Sequence, residues 1–231
     1  MTRRAIPLLV LLAAALGGCG GKTETVERRT PMPITLPGVY AGRLPCSNCT
    51  AIEATLWLRP DGHFFLRQRF TDNPSTAAAA SNKPHEPSAT YGLGRWHWDE
   101  LEGEAVLRGA GPQRRLAVRD GDSVELRVPS PLPHVLERDI AAPPFGDRVV
   151  LDGESAVNDK GATFKECLTG RTLTVADAGA YRELRRQHRR MNPRGKIALT
   201  AVEGHLVNEG STASERLVVD RFIAIKPGTG C

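Results

Sequence analysis

Aromatic side chains make up only 5% of this 231-residue chain, methionine occurs 3 times, and the formal net charge is a modest +5. Each shortage excludes something. Three methionines are too few for a methionine-rich metal carrier. The apolar stretch from Ala5 to Leu16 falls short of the about 20 residues a membrane-spanning helix needs. The weak charge gives no electrostatic case for nucleic acid as a partner. What is plentiful is punctuation: 23 Gly and 17 Pro favour a turn-rich β architecture over a long-helix bundle.

The N-terminus sets the compartment. Arg3 and Arg4 precede the apolar stretch, and Leu16-Gly17-Gly18-Cys19 closes it with small residues and a cysteine. This is secretory leader geometry with a bacterial lipobox, so residues 1–18 are expected to be removed and Cys19 to carry acyl chains. The mature chain then has 213 residues (231 − 18) and a charge of +3 (5 − 2, for Arg3 and Arg4). Residues 19–33 read as a flexible tether. Gly20 follows the cysteine where a retention signal would place Asp, which points to the outer membrane, with the chain facing the periplasm.

With Cys19 acylated, Cys46, Cys49, Cys167 and Cys231 remain, and four cysteines allow three pairings. An oxidising compartment favours disulfides, and a cysteine at the very end of the chain suits a bond from Cys231 to Cys167. The Cys46-Ser47-Asn48-Cys49 motif stays open among three readings: a disulfide in a turn, a redox pair, or a soft-metal clamp. It leads into a strand-like IEATLWL instead of a helix N-terminus, so nothing lowers a thiol pKa for redox catalysis. For metal, two thiolates suit Cu(I), and His63 is the nearest candidate for a third ligand. No cofactor is otherwise required. Ser47, Asp61 and His63 make no convincing triad, and the chain reads as a non-enzyme.

From Thr35 short strands alternate with turns. Residues 52–58, 63–70, 91–98, 104–108, 114–118 and 123–128 are expected strands, with Asp61-Gly62, Gly111-Pro112 and Asp120-Gly121 as reversals. Residues 71–90 read as a long loop. Prolines thicken between residues 129 and 147, which places a boundary near residue 140 and domains at 34–139 and 140–231. Beyond it, residues 162–167, 171–175, 197–203 and 216–226 are expected strands. One helix is expected over 178–191, capped by Asp177 and stopped at Asn192-Pro193. Tyr181, Leu184, His188 and Met191 form its apolar side, opposite Arg182, Arg185, Arg186, Arg189 and Arg190. Trp57, Trp96 and Trp98 are expected to pack the first barrel and not to form a ligand cage with their neighbours Tyr91 and His97. The class is all-β, two small barrels, the second OB-like in its order of elements.

Gly38, Tyr40, Gly42, Leu44-Pro45-Cys46, Cys49 and Ile52-Glu53 fall in a G-x-Y-x-G-x-L-P-C-x-x-C-x-x-I-E pattern, and Gly94 and Trp96 supply a later G-x-W. These residues resemble the NlpE lipoproteins, a family associated with copper homeostasis and adhesion. Phe164, Cys167, Thr169-Gly170, Tyr181 and the stretch from Val218 to Cys231 resemble the family's C-terminal module. The resemblance implies a lipocalin-like N-terminal barrel, an OB-like C-terminal barrel, and a role in envelope stress sensing through a Cpx-type periplasmic sensor protein. It also implies that the C-terminal disulfide monitors periplasmic oxidation. The alternative is a lipocalin-type binding module for an apolar ligand or a copper ion; a thiol-disulfide enzyme ranks last.

Overall fold

The computed structural model describes residues 29–71, 89–192, 197–208 and 215–231. The leader, Cys19, most of the tether and most of the expected 71–90 loop lie outside the described residues. Eight strands, β1 (Gly38–Leu44), β2 (Ala51–Leu58), β3 (His63–Thr71), β4 (Ala89–Asp99), β5 (Glu104–Gly109), β6 (Arg114–Val118), β7 (Ser123–Arg127) and β8 (His134–Arg138), form an antiparallel meander. It closes into a barrel where β8 returns to β1, with Tyr40 opposite Arg138 and Ala41 opposite Glu137. Closure removes the unpaired edges an open meander would expose. The reversals at Asp61-Gly62 and Asp120-Gly121 work because each glycine takes a positive φ, +76° and +86°.

Alternation along the strands sends one set of side chains inward. Tyr40, Leu44, Leu56, Leu58, Phe64, Leu66, Trp96, Leu107, Leu116, Leu126 and Leu136 meet in the centre. The Tyr40 hydroxyl, fully buried, donates to the Thr35 carbonyl at 2.7 Å. Gly94 and Gly109 face each other across β4 and β5, and a Cβ on Gly94 would strike the Arg108 carbonyl. The glycine of the G-x-W pattern therefore permits a close backbone approach, while Trp96 two residues on fills the interior.

The second barrel has five strands, β9 (Val149–Asn158), β10 (Gly161–Glu166), β11 (Thr172–Val175), β12 (Ala198–Asn208) and β13 (Glu215–Pro227), in the order β10-β11-β13-β12-β9. Helix α1 (Tyr181–Met191) sits between β11 and β12, and β11 runs parallel to β13. That order, with a helix after the third strand, is the OB arrangement.

The elements themselves depart from the sequence reading at several points. Strand β8 occupies part of the proline-rich boundary, following Pro133 and turning Leu136 inward, while β9 lies just beyond it in a stretch where no strand is expected from the sequence, alternating inward Val149, Leu151, Gly153 and Ser155. Glycine and serine at two inward positions diluted that pattern; at Gly153 a Cβ would meet the Phe164 ring. The helix begins at Tyr181, not Ala178, and Asp177 does not cap it. Gly179, at φ +57°, interrupts the chain ahead of the helix, and the Ala180 N–H is taken by the Val219 carbonyl of β13 at 2.7 Å. Finally, Met191 is 46% exposed, so the buried side of the helix is Tyr181, Leu184 and His188 alone.

Candidate functional site

The loop between β1 and β2 carries the first cysteine pair. Leu44 ends β1 buried in the barrel, while Ser47, Asn48 and Thr50 are exposed. Cys46 and Cys49 are disulfide-bonded with their Cα atoms 5.4 Å apart, a spacing the bent backbone allows and an extended strand does not. Thr50 then enters the β2–β3 hairpin, its N–H donating to the Thr71 carbonyl at 3.0 Å. His63 is not a third ligand for this pair. The hairpin register sets Ala51 against Thr71 and Leu58 against Phe64, so His63 lies at the far end of the hairpin from the cysteines. Seven strand steps separate the two ends, about 23 Å. His63 instead faces Asp61, with Nδ1 3.1 Å from a carboxylate oxygen. Among the described residues no group of three or more His, Cys, Asp or Glu side chains could hold a metal ion.

The second pair joins Cys167 to Cys231, again with Cα atoms 5.4 Å apart. Cys167 lies in the turn from β10 to β11, whose internal scaffold is the buried Glu166 carboxylate. Its two oxygens accept from the Leu168 N–H (2.9 Å), the Thr169 N–H (2.7 Å) and the Thr169 hydroxyl (2.5 Å). The chain end is held a second time by Glu154, which accepts from the Cys231 N–H at 3.1 Å and pairs with Lys165 at 3.3 Å. The Cys231 N–H first, and then Lys165, hold the Glu154 carboxyl below its ordinary pKa.

The turn that holds Cys167 is also a point of contact between the barrels. Arg95 of β4 donates from Nε to the Thr169 carbonyl at 2.5 Å. Gly170, at φ +70°, leaves the room this guanidinium occupies. Next to it, Glu215 at the start of β13 accepts from Arg59 of the first barrel (2.6 Å) and from Arg171 of the second (2.7 Å), with its own side chain only 9% exposed. Arg59 binds Asp61 as well. Burial alone would raise the Asp61 pKa; hydrogen bonds and charge from Arg59, with His63 contributing, bring it down to about 2.

Apolar side chains fill the rest of the seam. Phe145, from the connection between the barrels, stacks on Phe65 at 4.3 Å and 8° and meets Trp57 edge-on at 5.3 Å. The Trp57 indole N–H reaches the Pro143 carbonyl at 3.0 Å. Arg67 covers the Trp57 ring at 5.3 Å and pairs with Asp147 at 3.0 Å. With Leu93, Leu151, Leu173 and neighbours these rings make one continuous apolar cluster across both barrels. Trp57 thus packs the outside of the first barrel, not its interior. Trp96 does fill the interior, and Trp98 is half-buried, donating to the Thr30 carbonyl at 2.8 Å.

The two halves of the chain match two consecutive descriptions of one family: NlpE N-terminal domain over residues 40–127 and NlpE C-terminal OB domain over residues 147–231. The chain belongs to the NlpE family. The lipoprotein NlpE of Escherichia coli (strain K12) is 27% identical over 228 residues, an alignment covering 91% of this chain and 88% of the relative. A crystal structure described as the Cpx pathway activator NlpE from Escherichia coli aligns at 25% identity with a TM-score of 0.36, over 87% of this chain and 98% of that one.

Proposed function

We propose that this NlpE-family chain is a lipoprotein of the outer membrane, acylated at Cys19 and facing the periplasm, that senses envelope stress and reports it by contact with a sensor protein of a Cpx-type pathway. The observation that carries this reading is the full-length kinship: both NlpE domains are present in order, and the relative named for that activation aligns over nearly the whole chain. The structure supplies a reason for redox sensitivity at Cys167 and Cys231. Their turn contacts the other barrel through Thr169 and Arg95, so breaking the bond loosens a contact between domains. Copper contact, as part of the same reading, rests on the Cys46–Cys49 loop in its reduced form, since the two half-buried cysteines flank exposed Ser47 and Asn48. The binding-module alternative is disfavoured because Tyr40, Leu44, Leu56, Leu116 and Leu136, each no more than 2% exposed, fill the interior of the first barrel.

The test is a pull-down from crosslinked envelopes, comparing the wild-type chain with C167S/C231S, beside a reporter driven by a Cpx-type pathway. Raised reporter output with the wild type, and a crosslinked sensor whose recovery changes in the variant, support the reading. A lipidated chain present in the membrane fraction that leaves the reporter at baseline defeats it.

A further inference from the structure

The charge of the chain is not spread evenly. Helix α1 holds five arginines and one glutamate, a net +4 in 11 residues, while the whole 231-residue chain sums to +5. At 100° per residue, Arg182, Arg185, Arg186, Arg189 and Arg190 fall within an arc of about 140°. Tyr181, Leu184 and His188 face the other way, against the barrel. Among the described residues the one acidic partner on this ridge is Glu183, which pairs with Arg186 and also accepts from Gln187. Arg185 lies over the Tyr181 ring at 5.6 Å, and its buried Nε has no hydrogen-bond partner among the described residues. Among the described residues Arg182, Arg189 and Arg190 have no carboxylate partner, unlike Arg115, Arg119 and Arg127 of the first barrel, which pair with Asp99, Glu104 and Glu125. Concentrated like charge of this kind lowers the stability of a helix unless something outside it supplies anions.

We propose that the arginine ridge of α1 is a peripheral docking surface for an anionic phospholipid leaflet. Three observations favour a bilayer. The five guanidinium groups line a shallow, open depression, and among the described residues the one exposed apolar side chain of the helix, Met191, lies off the arginine arc, so the surface suits contact with headgroups and lacks the apolar centre of a protein interface. Every cation on it is an arginine, whose planar fork matches phosphate oxygens. Lastly, the first described residue lies ten positions after Cys19, so the tether spans at most about 34 Å and keeps a lipid surface within reach. The proposal rests on the membrane location in the reading above, yet its test omits the acyl group, so the two fail separately.

The experiment is sedimentation of the chain from Gly20 onward, which keeps both barrels whole, with vesicles of phosphatidylcholine containing 30 mol% phosphatidylglycerol. Pure phosphatidylcholine vesicles and polyglutamate are parallel arms. The expected result is binding to the anionic vesicles in 0.1 M NaCl, its loss in 0.5 M NaCl, and at least a roughly tenfold weaker partition for R182Q/R186Q/R190Q. A control triple at exposed positions of the first barrel, R43Q/R108Q/R138Q, removes the same charge and should bind nearly as well as wild type. Equal weakening by both triples overturns the proposal, because the overall charge would then be responsible. So does equal binding to neutral vesicles. Retention on polyglutamate without vesicle binding, abolished in the ridge triple, also overturns it and assigns the ridge to an acidic protein.

Discussion

Both disulfides bring Cα atoms to 5.4 Å, but one spans 3 positions of sequence and the other 64. The short one closes a surface loop whose ends the β1–β2 pairing already holds close, from Gly38 opposite Leu58 to Leu44 opposite Ile52. The long one ties the last residue of the chain to the turn that touches the first barrel. Loop-closure entropy scales with the chain enclosed: about 4 kcal/mol for the long bond and about 2 for the short one. The long bond is therefore the one whose loss is expected to cost the fold more. The short pair, half-buried beside exposed Ser47 and Asn48, is expected to break with less structural consequence.

The largest expected effect comes from removing the long bond. C167S/C231S should lower the unfolding free energy by about 4 kcal/mol in non-reducing denaturant titration, and β13 should become sensitive to protease. A loss under about 1 kcal/mol would mean that Glu154 alone holds the chain end and that the bond is not the stronger of the two. Next is Phe145→Ala, which empties the space between Phe65 and Trp57. Removing a buried ring costs about 3 kcal/mol. Its signature should be local: Trp57 fluorescence shifts to the red and the connection near residue 145 becomes cleavable, while each barrel stays folded. If Trp57 emission is unchanged, the apolar seam does not persist in solution.

The contrast between barrel interior and seam also marks what was readable in the sequence. Asp61-Gly62 and Asp120-Gly121 announce their turns because only a positive φ closes them, and the strands between follow by alternation. Closure of the first barrel was not legible in the same way, because it runs through β8, whose stretch is crowded by prolines and reads as a boundary. The seam was hidden because its residues occupy the outward positions of strands whose inward positions already explained the fold. A signal was present: Leu56-Trp57-Leu58 and Phe64-Phe65-Leu66 are unbroken apolar runs, as expected of strands covered on both faces. Phe145 was masked by the prolines around it. The CxxC turn was legible from spacing, but placing His63 beside it required the hairpin register, and the register puts them at opposite ends. Asp177 failed as a cap for a similar reason. The helix N-terminus is satisfied by the backbone of β13, a partner about forty residues away that no local pattern could reveal.

A smaller effect is expected at the short bond. C46S/C49S should cost no more than about 2 kcal/mol, and less in practice because strand pairing already restrains the loop. The sharper measurement is the reduction rate, followed by mass-tagging of the freed cysteines: Cys231 is exposed whereas Cys46 and Cys49 are both half-buried, so the Cys167–Cys231 bond should react with a thiol reductant no later than the Cys46–Cys49 bond. Clearly earlier reduction of Cys46–Cys49 would show that the contact with Glu154 shields the bond at the chain end.

The smallest effect is electrostatic and tests how the seam responds to acid. Asp61 has its carboxyl held at about 2, against an ordinary 3.8, chiefly because Arg59 outweighs the burial that would raise it. A depressed carboxyl contributes stability that is fully present above the ordinary value and is lost as pH falls through the folded one. The window is therefore from about pH 4 down to about pH 2. Because the Asp61 side chain is 38% exposed, solvent screening reduces the contribution to under about 1 kcal/mol. D61N should be less stable than wild type at pH 5 by that small amount, and the difference should close as the wild-type carboxyl protonates toward pH 2. The Arg59–Glu215 contact ties this titration to the seam and leaves the Cys46–Cys49 loop out of it. Acid should consequently alter Trp57 emission in parallel with the loss of stability. A gap between D61N and wild type that stays constant from pH 5 to pH 2 would show that Asp61 carries no charge-dependent stability there.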